Sequence, residues 1–141
     1  MTNATFLTPV LALIVWTAVM WFWLYATRIP AMQAARIHPD KARHPSGEWK
    51  TKLPPRVLSV ADNYNHLHEQ PTVFYALMFY IVLTTGGDRL SLIIASVYVG
   101  LRVVHSLVQI FSSNVVMRFS MFALCSLTLF ALLGKTLIAA L

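Results

Sequence analysis

This chain has few charged residues, one cysteine and 5 glycines, and each shortage excludes some classes of protein or site. Charged residues make up 11% of its 141 residues, whereas about a quarter of an ordinary soluble domain is charged. The one cysteine, Cys125, excludes a disulfide within the chain and is best interpreted as a small buried hydrophobic residue. The 5 glycines form no phosphate-binding loop, and no local signature of a catalytic serine or cysteine is present.

The sequence is rich in apolar surface instead. Hydrophobic residues make up 57% of it, and the mean hydropathy is +0.64. A chain of this length forms one domain, which we place at residues 1–141, and so small a domain cannot bury that much apolar surface in its own core. We therefore expect an integral membrane protein that exposes apolar surface to the lipid bilayer and to other subunits.

Four apolar runs predict four membrane-spanning helices, because about 20 apolar residues are enough to cross a bilayer. They lie at about residues 6–27, 56–85, 90–111 and 115–140, which predicts an all-α, four-helix bundle in the membrane. No basic residue precedes the first run, so we interpret it as a retained helix rather than a signal peptide. Pro30 is expected to end that helix.

The second run is longer than a bilayer requires. A helix from Pro54 to Thr85 would measure about 45 Å, against about 30 Å of hydrocarbon. Its first half must therefore leave the apolar layer or line a polar cleft. Pro71 lies inside this helix and removes the hydrogen bond to the Leu67 carbonyl, which predicts a bend at that point.

Most of the basic residues lie between the first two spans. A basic loop in this place is typical of the cytoplasmic side of a membrane protein, where it contacts anionic headgroups, so we expect both termini on the outer side. This position favours lipid over nucleic acid as the partner, and we predict no nucleic-acid binding. The residues are Arg28, Arg36, Lys41, Arg43, Lys50, Lys52 and Arg56.

Two polar stripes interrupt the apolar pattern. The first comprises Asp62, Asn65, His66 and Glu69, which fall within about 100° on a helix. The second, in the third span, comprises Tyr98, Arg102, His105 and Gln109, within about 60°. Ionisable side chains in a membrane span are costly unless they face protein or water, so we do not expect either stripe to face lipid.

Counting residues along the helices puts Glu69 and Arg102 at a similar depth. Two interpretations of the stripes stay open. In one, Glu69 and Arg102 form a buried structural ion pair that fixes helix packing. In the other, the stripes line a polar cleft for a charged small molecule.

The histidines do not predict a metal site. His66 and His68 would point about 160° apart on a helix, so we do not expect them to bind one ion. A site on His66 and Glu69 would need further ligands, and of the other histidines His105 alone lies at a suitable depth.

The order and spacing of these residues resemble one known family, the membrane-associated proteins in eicosanoid and glutathione metabolism. The segment Asp62–Tyr75, DNYNHLHEQPTVFY, is similar to a bacterial pattern of Asn, then Glu-x-Pro, then Phe-Tyr. The segment Tyr98–His105, YVGLRVVH, followed by Asn114 and Arg118, is also similar. Chain length, four spans and the long basic loop agree as well, so the resemblance covers most of the chain.

The resemblance implies a homotrimer of four-helix subunits in a bacterial inner membrane, with binding sites between neighbouring subunits. It implies glutathione as the co-substrate. The cofactor-binding positions that it implies are Glu69, His66, Asn65, Tyr98 and His105. Arg118, with Arg102 as the other candidate, would be the catalytic arginine that pairs with the thiolate and lowers the thiol pKa.

Two positions depart from the family pattern. Glutathione-using members commonly have an arginine one helical turn before the Asn position, where this chain has Asp62, and His66 replaces the Asn itself. Three functions therefore stay open. They are a glutathione-dependent transferase or peroxidase acting on an apolar substrate, a non-catalytic protein that binds a lipid or small molecule, and a structural membrane protein whose polar stripes are packing pairs.

Overall fold

The structure is a computed structural model, and it describes residues 2–43 and 47–141. These residues form helices and no strand, which confirms the predicted all-α class. The α-helices are α1 (Asn3–Phe6), α2 (Thr8–Ala34), α3 (Pro55–His66), α4 (Gln70–Leu83), α5 (Arg89–Phe111) and α6 (Val115–Ala140). Two short 3₁₀ helices, Pro39–Ala42 and Glu48–Lys52, lie in the basic loop.

Within the described residues, three helices are long and apolar enough to cross a membrane. They are α2, α5 and α6, with 27, 23 and 26 residues. Their exposed surfaces carry large apolar side chains such as Phe22, Leu107 and Phe130, as expected of helices that face lipid. The prediction of an integral membrane protein is thus confirmed. By contrast, α4 has 14 residues, or about 21 Å, so the second predicted span is not one long helix.

The second predicted span breaks instead of bending. The helix α3 ends at His66, its last helical bond running from the Leu67 amide to the Asn63 carbonyl, and α4 begins at Gln70. Between them, Glu69 has φ −92° and ψ −95°, which is not a helical conformation. Pro71 is the second residue of α4, a position where a helix has no backbone hydrogen bond for proline to remove. The expected bend at Pro71 is therefore wrong, because the chain has already left the helix before that residue.

The end of α2 also differs from the prediction. We expected Pro30 to end the helix, but α2 continues through Pro30 to Ala34. Proline costs a helix one backbone hydrogen bond, here the one to the Ala26 carbonyl, and a long helix can bear that loss near its end. The extra turn carries Ala31 and Met32 into contact with the basic loop.

The chain leaves α2 through a residue in the left-handed conformation. Arg36 has φ 52° and donates its amide to the Gln33 carbonyl at 3.0 Å. The next amide, that of Ile37, donates to the Met32 carbonyl at 3.0 Å. This pair of bonds is the usual way in which a helix end satisfies its last carbonyls. It turns the basic loop back towards α3.

The helix α5 lies at the centre of the fold, in contact with α2, α3 and α6. The shared core includes Leu13, Met20, Phe74, Met78 and Leu132. Polar contacts also join helices. Trp16 donates its indole N–H to the Ser106 hydroxyl at 3.1 Å, and Gln70 donates to the Ser126 hydroxyl at 2.8 Å. These bonds hold α2 on α5 and α4 on α6.

Asp88 organises the turn between α4 and α5. Its carboxylate accepts the amides of Leu90 and Ser91, which caps α5, and it pairs with Lys135 of α6 at 2.6 Å. Burial alone would raise the pKa of the Asp88 carboxyl, but the bonds from Lys135 and Ser91 outweigh it. Together they hold the pKa of Asp88 well below its ordinary value of 3.8.

Candidate functional site

The polar stripe of α5 is buried. Tyr98, Arg102, His105 and Gln109 are 0%, 2%, 4% and 1% exposed, so the expectation that they do not face lipid is confirmed. Their spacing puts them on one side of α5, and α3 and α6 both pack on that helix. An arginine in this place needs a protein partner.

The break after α3 provides that partner. The last carbonyls of a helix have no partner within it, and the His66 carbonyl accepts a hydrogen bond from Arg102 Nη2 at 2.9 Å. The His66 ring also contacts α5, because its Nδ1 lies 3.1 Å from Gln109 Oε1. Both the backbone and the side chain of His66 therefore fix the end of α3 against the buried stripe.

The ion pair considered between Glu69 and Arg102 does not form. The ion pairs of the described residues are Lys135 with Asp88 and His38 with Asp40. The physical reason is the helix break, where the His66 carbonyl accepts a bond from Arg102 as well as a longer one from the Glu69 amide, and where Glu69 is exposed outside the helix. The interpretation of the two stripes as structural packing pairs depended mainly on this ion pair, so its absence from the described residues weakens that interpretation.

A cleft of about 360 Å³ lies where the end of α3, the inner part of α5 and the start of α6 meet. Asn114 caps α6 by accepting the Met117 amide at 3.1 Å, and this fixes the start of the helix that carries Arg118. The lining residues are His66, Glu69, Arg102, His105, Val115, Arg118, Phe119 and Phe122.

An adjoining cavity of about 240 Å³ extends this cleft along α3. It shares His66, Glu69 and Arg118 with the cleft and adds Asp62 and Asn65. We refer to the two together as the polar cleft. The sequence spacing placed the four members of the first polar stripe on a single side of the helix. In the structure all four line the polar cleft.

Six of the seven residues predicted as catalytic or cofactor-binding line the polar cleft: Asn65, His66, Glu69, Arg102, His105 and Arg118. Tyr98 does not line it. Its ring stacks on Phe74 at 4.6 Å between centroids, and its hydroxyl has no hydrogen-bond partner in the described part of the chain. Tyr98 therefore belongs to the core between α4 and α5.

Sequence reasoning missed the apolar wall of the cleft. Val115, Phe119 and Phe122 form it, and the two phenylalanines are 68% and 42% exposed. Nothing in the sequence could have marked them, because an apolar residue in a membrane span looks the same whether it faces lipid or a cleft. Asp62, by contrast, could be recognised from the sequence as a residue of the cleft, because it is a member of the first polar stripe.

The cleft presents charged groups that are free to bind a ligand. Arg102 Nε and Nη1 are buried without a hydrogen-bond partner. Within residues 2–43 and 47–141, no ion pair engages Arg118 or Glu69. Guanidinium groups bind carboxylates and thiolates well, and a carboxylate binds an ammonium or an amide. The arrangement therefore suits a small molecule that carries both kinds of group.

No metal site is visible in the described residues, since no group of three or more His, Cys, Asp and Glu side chains is arranged to hold an ion.

The family comparison agrees with the resemblance noted in the sequence. The model of the MAPEG family matches residues 6–138. This chain belongs to the MAPEG family. No curated protein and no solved structure matches it.

Proposed function

We propose that this MAPEG-family protein is a glutathione-dependent transferase or peroxidase that acts on an apolar substrate. The observation that carries the proposal is the double character of the polar cleft. One side holds the charged residues Glu69, Arg102 and Arg118, and the other is the apolar wall of Phe119 and Phe122. A charged thiol compound and an apolar molecule from the membrane can therefore meet in one place.

The chain's own residues supply binding and electrostatic stabilisation. Glutathione would supply the nucleophilic thiol. The unpartnered Nε and Nη1 of Arg102 are donors for a carboxylate, and Glu69 is an acceptor for the ammonium. Arg118 is the residue that we propose as the thiolate partner, with Arg102 as the alternative, because a neighbouring cation favours the ionised thiol. His105 lies beside both arginines as a further contact.

We also propose a homotrimer in a bacterial inner membrane, with four crossings and both termini outside the cytoplasm. In this arrangement α3 and α4 together form the second crossing, broken at the level of the polar cleft. Family membership supports the trimer. The exposed Glu69, which no ion pair within the described residues engages, would lie at the boundary with a neighbouring subunit.

Asp62 favours a second candidate, a non-catalytic protein that binds a lipid or another small molecule in the same cleft. Its carboxylate lines the extension of the cleft, where it would repel the carboxylates of glutathione. Asp62→Asn separates the two candidates. If glutathione is the ligand, this variant should bind it more tightly than the wild type does, whereas a neutral lipid ligand would be unaffected.

The test of the enzyme proposal is turnover by the full-length protein in detergent. Glutathione is mixed with a panel of apolar electrophiles and lipid hydroperoxides, and the rate is compared for the wild type and Arg118→Gln. We expect kcat/KM to fall by about 100-fold in the variant, the usual cost of one group that stabilises developing charge. Arg89→Gln is the matched control, because Arg89 is exposed at the start of α5, outside the cleft.

Equal rates for the wild type and Arg118→Gln would contradict the role of Arg118. If no compound in the panel is turned over while glutathione binds, the second candidate becomes the better account.

A further inference from the structure

Another cavity lies beneath the basic loop, and its volume is about 230 Å³. The end of α2, the short helix Glu48–Lys52 and the first three turns of α3 surround it. We refer to it as the loop cavity. Its lining residues are Arg28, Ala42, Trp49, Lys50, Leu53, Val57, Leu58, Ala61, Asp62 and Asn65.

The loop cavity is built on a small core of its own. Ile37, Trp49 and Leu53 are 9%, 6% and 5% exposed and pack against side chains of α2 and α3. The Arg28 guanidinium carbon lies 4.9 Å from the centroid of the Trp49 ring. Stacking on an aromatic ring holds a guanidinium in one place and leaves its edge free to donate hydrogen bonds. The cavity is therefore preformed.

The wall of the loop cavity carries both signs of charge. Arg28 and Lys50 are its cations, while Asp62 contributes a carboxylate and Asn65 an amide from α3. No ion pair within the described part of the chain engages Arg28, Lys50 or Asp62. Two cations match a phosphate, and a carboxylate beside an amide oxygen matches a primary ammonium. A neutral or purely anionic ligand would leave part of this wall without a partner.

The position of the cavity indicates where such a ligand comes from. The apolar stretch of α2 ends at Arg28, three to seven residues after Trp21, Trp23 and Tyr25, and aromatic residues of this kind mark the membrane–water interface. The cavity therefore lies at the depth of lipid headgroups. Leu53, Val57 and Leu58 give it an apolar side that suits the glycerol end of a lipid.

We propose that the loop cavity binds the headgroup of a phospholipid that carries both a phosphate and a primary amine. Arg28 and Lys50 bind the phosphate, and Asp62 and the Asn65 side-chain oxygen bind the ammonium. No covalent bond is made or broken. The site does not depend on glutathione chemistry, although Asp62 and Asn65 also line the polar cleft.

The decisive variant changes Lys50, which lines the loop cavity and not the polar cleft. Lys50→Gln removes one phosphate-binding cation and leaves the stacking of Arg28 on Trp49 in place. Lys52→Gln is the matched control, because Lys52 is exposed on the same short helix and does not line the cavity. Both variants lower the charge of the basic loop by one, so a difference between them reports the cavity and not the general attraction of a basic loop for anionic lipid.

The experiment is native mass spectrometry of the full-length protein in detergent with equal amounts of phosphatidylethanolamine, phosphatidylglycerol and phosphatidylcholine. We expect the wild type to retain phosphatidylethanolamine about tenfold better than phosphatidylcholine, whose quaternary ammonium has no N–H to donate. Lys50→Gln should lose about tenfold in this affinity, and Lys52→Gln should match the wild type. Asp62→Asn should shift the preference towards phosphatidylglycerol.

Three results would overturn the proposal. They are equal retention of phosphatidylethanolamine and phosphatidylcholine by the wild type, equal effects of Lys50→Gln and Lys52→Gln, and an unchanged lipid preference in Asp62→Asn. Free phosphoethanolamine, added as a competitor, identifies the source of the headgroup. Displacement of the lipid at millimolar concentration supports the site, whereas binding of the free compound as tightly as the lipid would contradict a membrane ligand.

Discussion

Arg102 lies in a membrane-spanning helix, and its partner is a backbone carbonyl rather than a carboxylate. The guanidinium is 2% exposed, and one of its nitrogens bonds to the His66 carbonyl. Its two other nitrogens have no hydrogen-bond partner in the described residues. Leaving buried donors unpaired costs free energy, so we interpret Nε and Nη1 as ligand-binding groups, while Nη2 bonds to the carbonyl at the helix break.

Arg102→Lys tests this contact. Lysine keeps the charge but cannot supply a planar group that both reaches the His66 carbonyl and lines the cleft. We expect the free energy of unfolding in detergent to fall by about 1–3 kcal/mol, the usual cost of leaving buried groups unpaired. Thermal unfolding followed by circular dichroism measures it, with Arg89→Lys as the exposed control. An unchanged melting temperature would show that the His66 contact does not hold the break.

Asp88 predicts a pH dependence of stability. Because its pKa is held below 3.8 in the folded protein, the unfolded state binds more protons at pH values just below 4, and stability falls as pH falls there. The Asp88 contribution is complete above about pH 5 and is lost progressively below about pH 4. The difference between the thermal unfolding midpoints at pH 6 and pH 3 should therefore be smaller for Asp88→Asn than for the wild type. Parallel losses in both proteins would sink the prediction.

At the scale of elements, the turn after α4 depends on a glycine that touches the first helix. A Cβ on Gly87 would collide with the Phe6 ring, which is 1% exposed. Gly87→Ala should lower the free energy of unfolding by about 1–3 kcal/mol, because a packed ring must move. Gly134→Ala is the control, since nothing lies within 4 Å of a Cβ there, and it should gain up to about 1 kcal/mol. Similar results for the two variants would contradict the predicted contact.

The sequence predicted which helix faces are polar, and it failed where backbone hydrogen bonds decide the outcome. Spacing alone put Arg102 and His105 on one side of α5, because helical periodicity is fixed. Proline statistics placed a helix end at Pro30 and a bend at Pro71, and neither occurs there. The break before α4 is accompanied by a bond from Arg102 to the His66 carbonyl, and Arg102 lies far away in sequence, so local patterns did not reveal that contact.

At the scale of the whole molecule, the chain exposes apolar surface on three long helices and charged groups in one cleft. Composition predicted the exposed apolar surface, since a domain of 141 residues cannot bury so many apolar residues, 57% of the chain, in its own core. The spacing of the polar stripes left the cleft as one of two interpretations. The sequence could not predict the basic loop's fold, because the core of Ile37, Trp49 and Leu53 forms only when the loop returns to α2 and α3. This folded loop covers the loop cavity, where we propose that a phospholipid headgroup binds.

Calorimetric titration of glutathione into the full-length protein in detergent tests our proposal that the polar cleft binds glutathione. We expect saturable binding by the wild type, a loss of about tenfold or more in Glu69→Gln, and no change in Glu48→Gln. Glu48 is an exposed carboxylate of the basic loop that does not line the cleft. The absence of binding at millimolar glutathione, or equal affinity in the wild type and Glu69→Gln, would contradict the account.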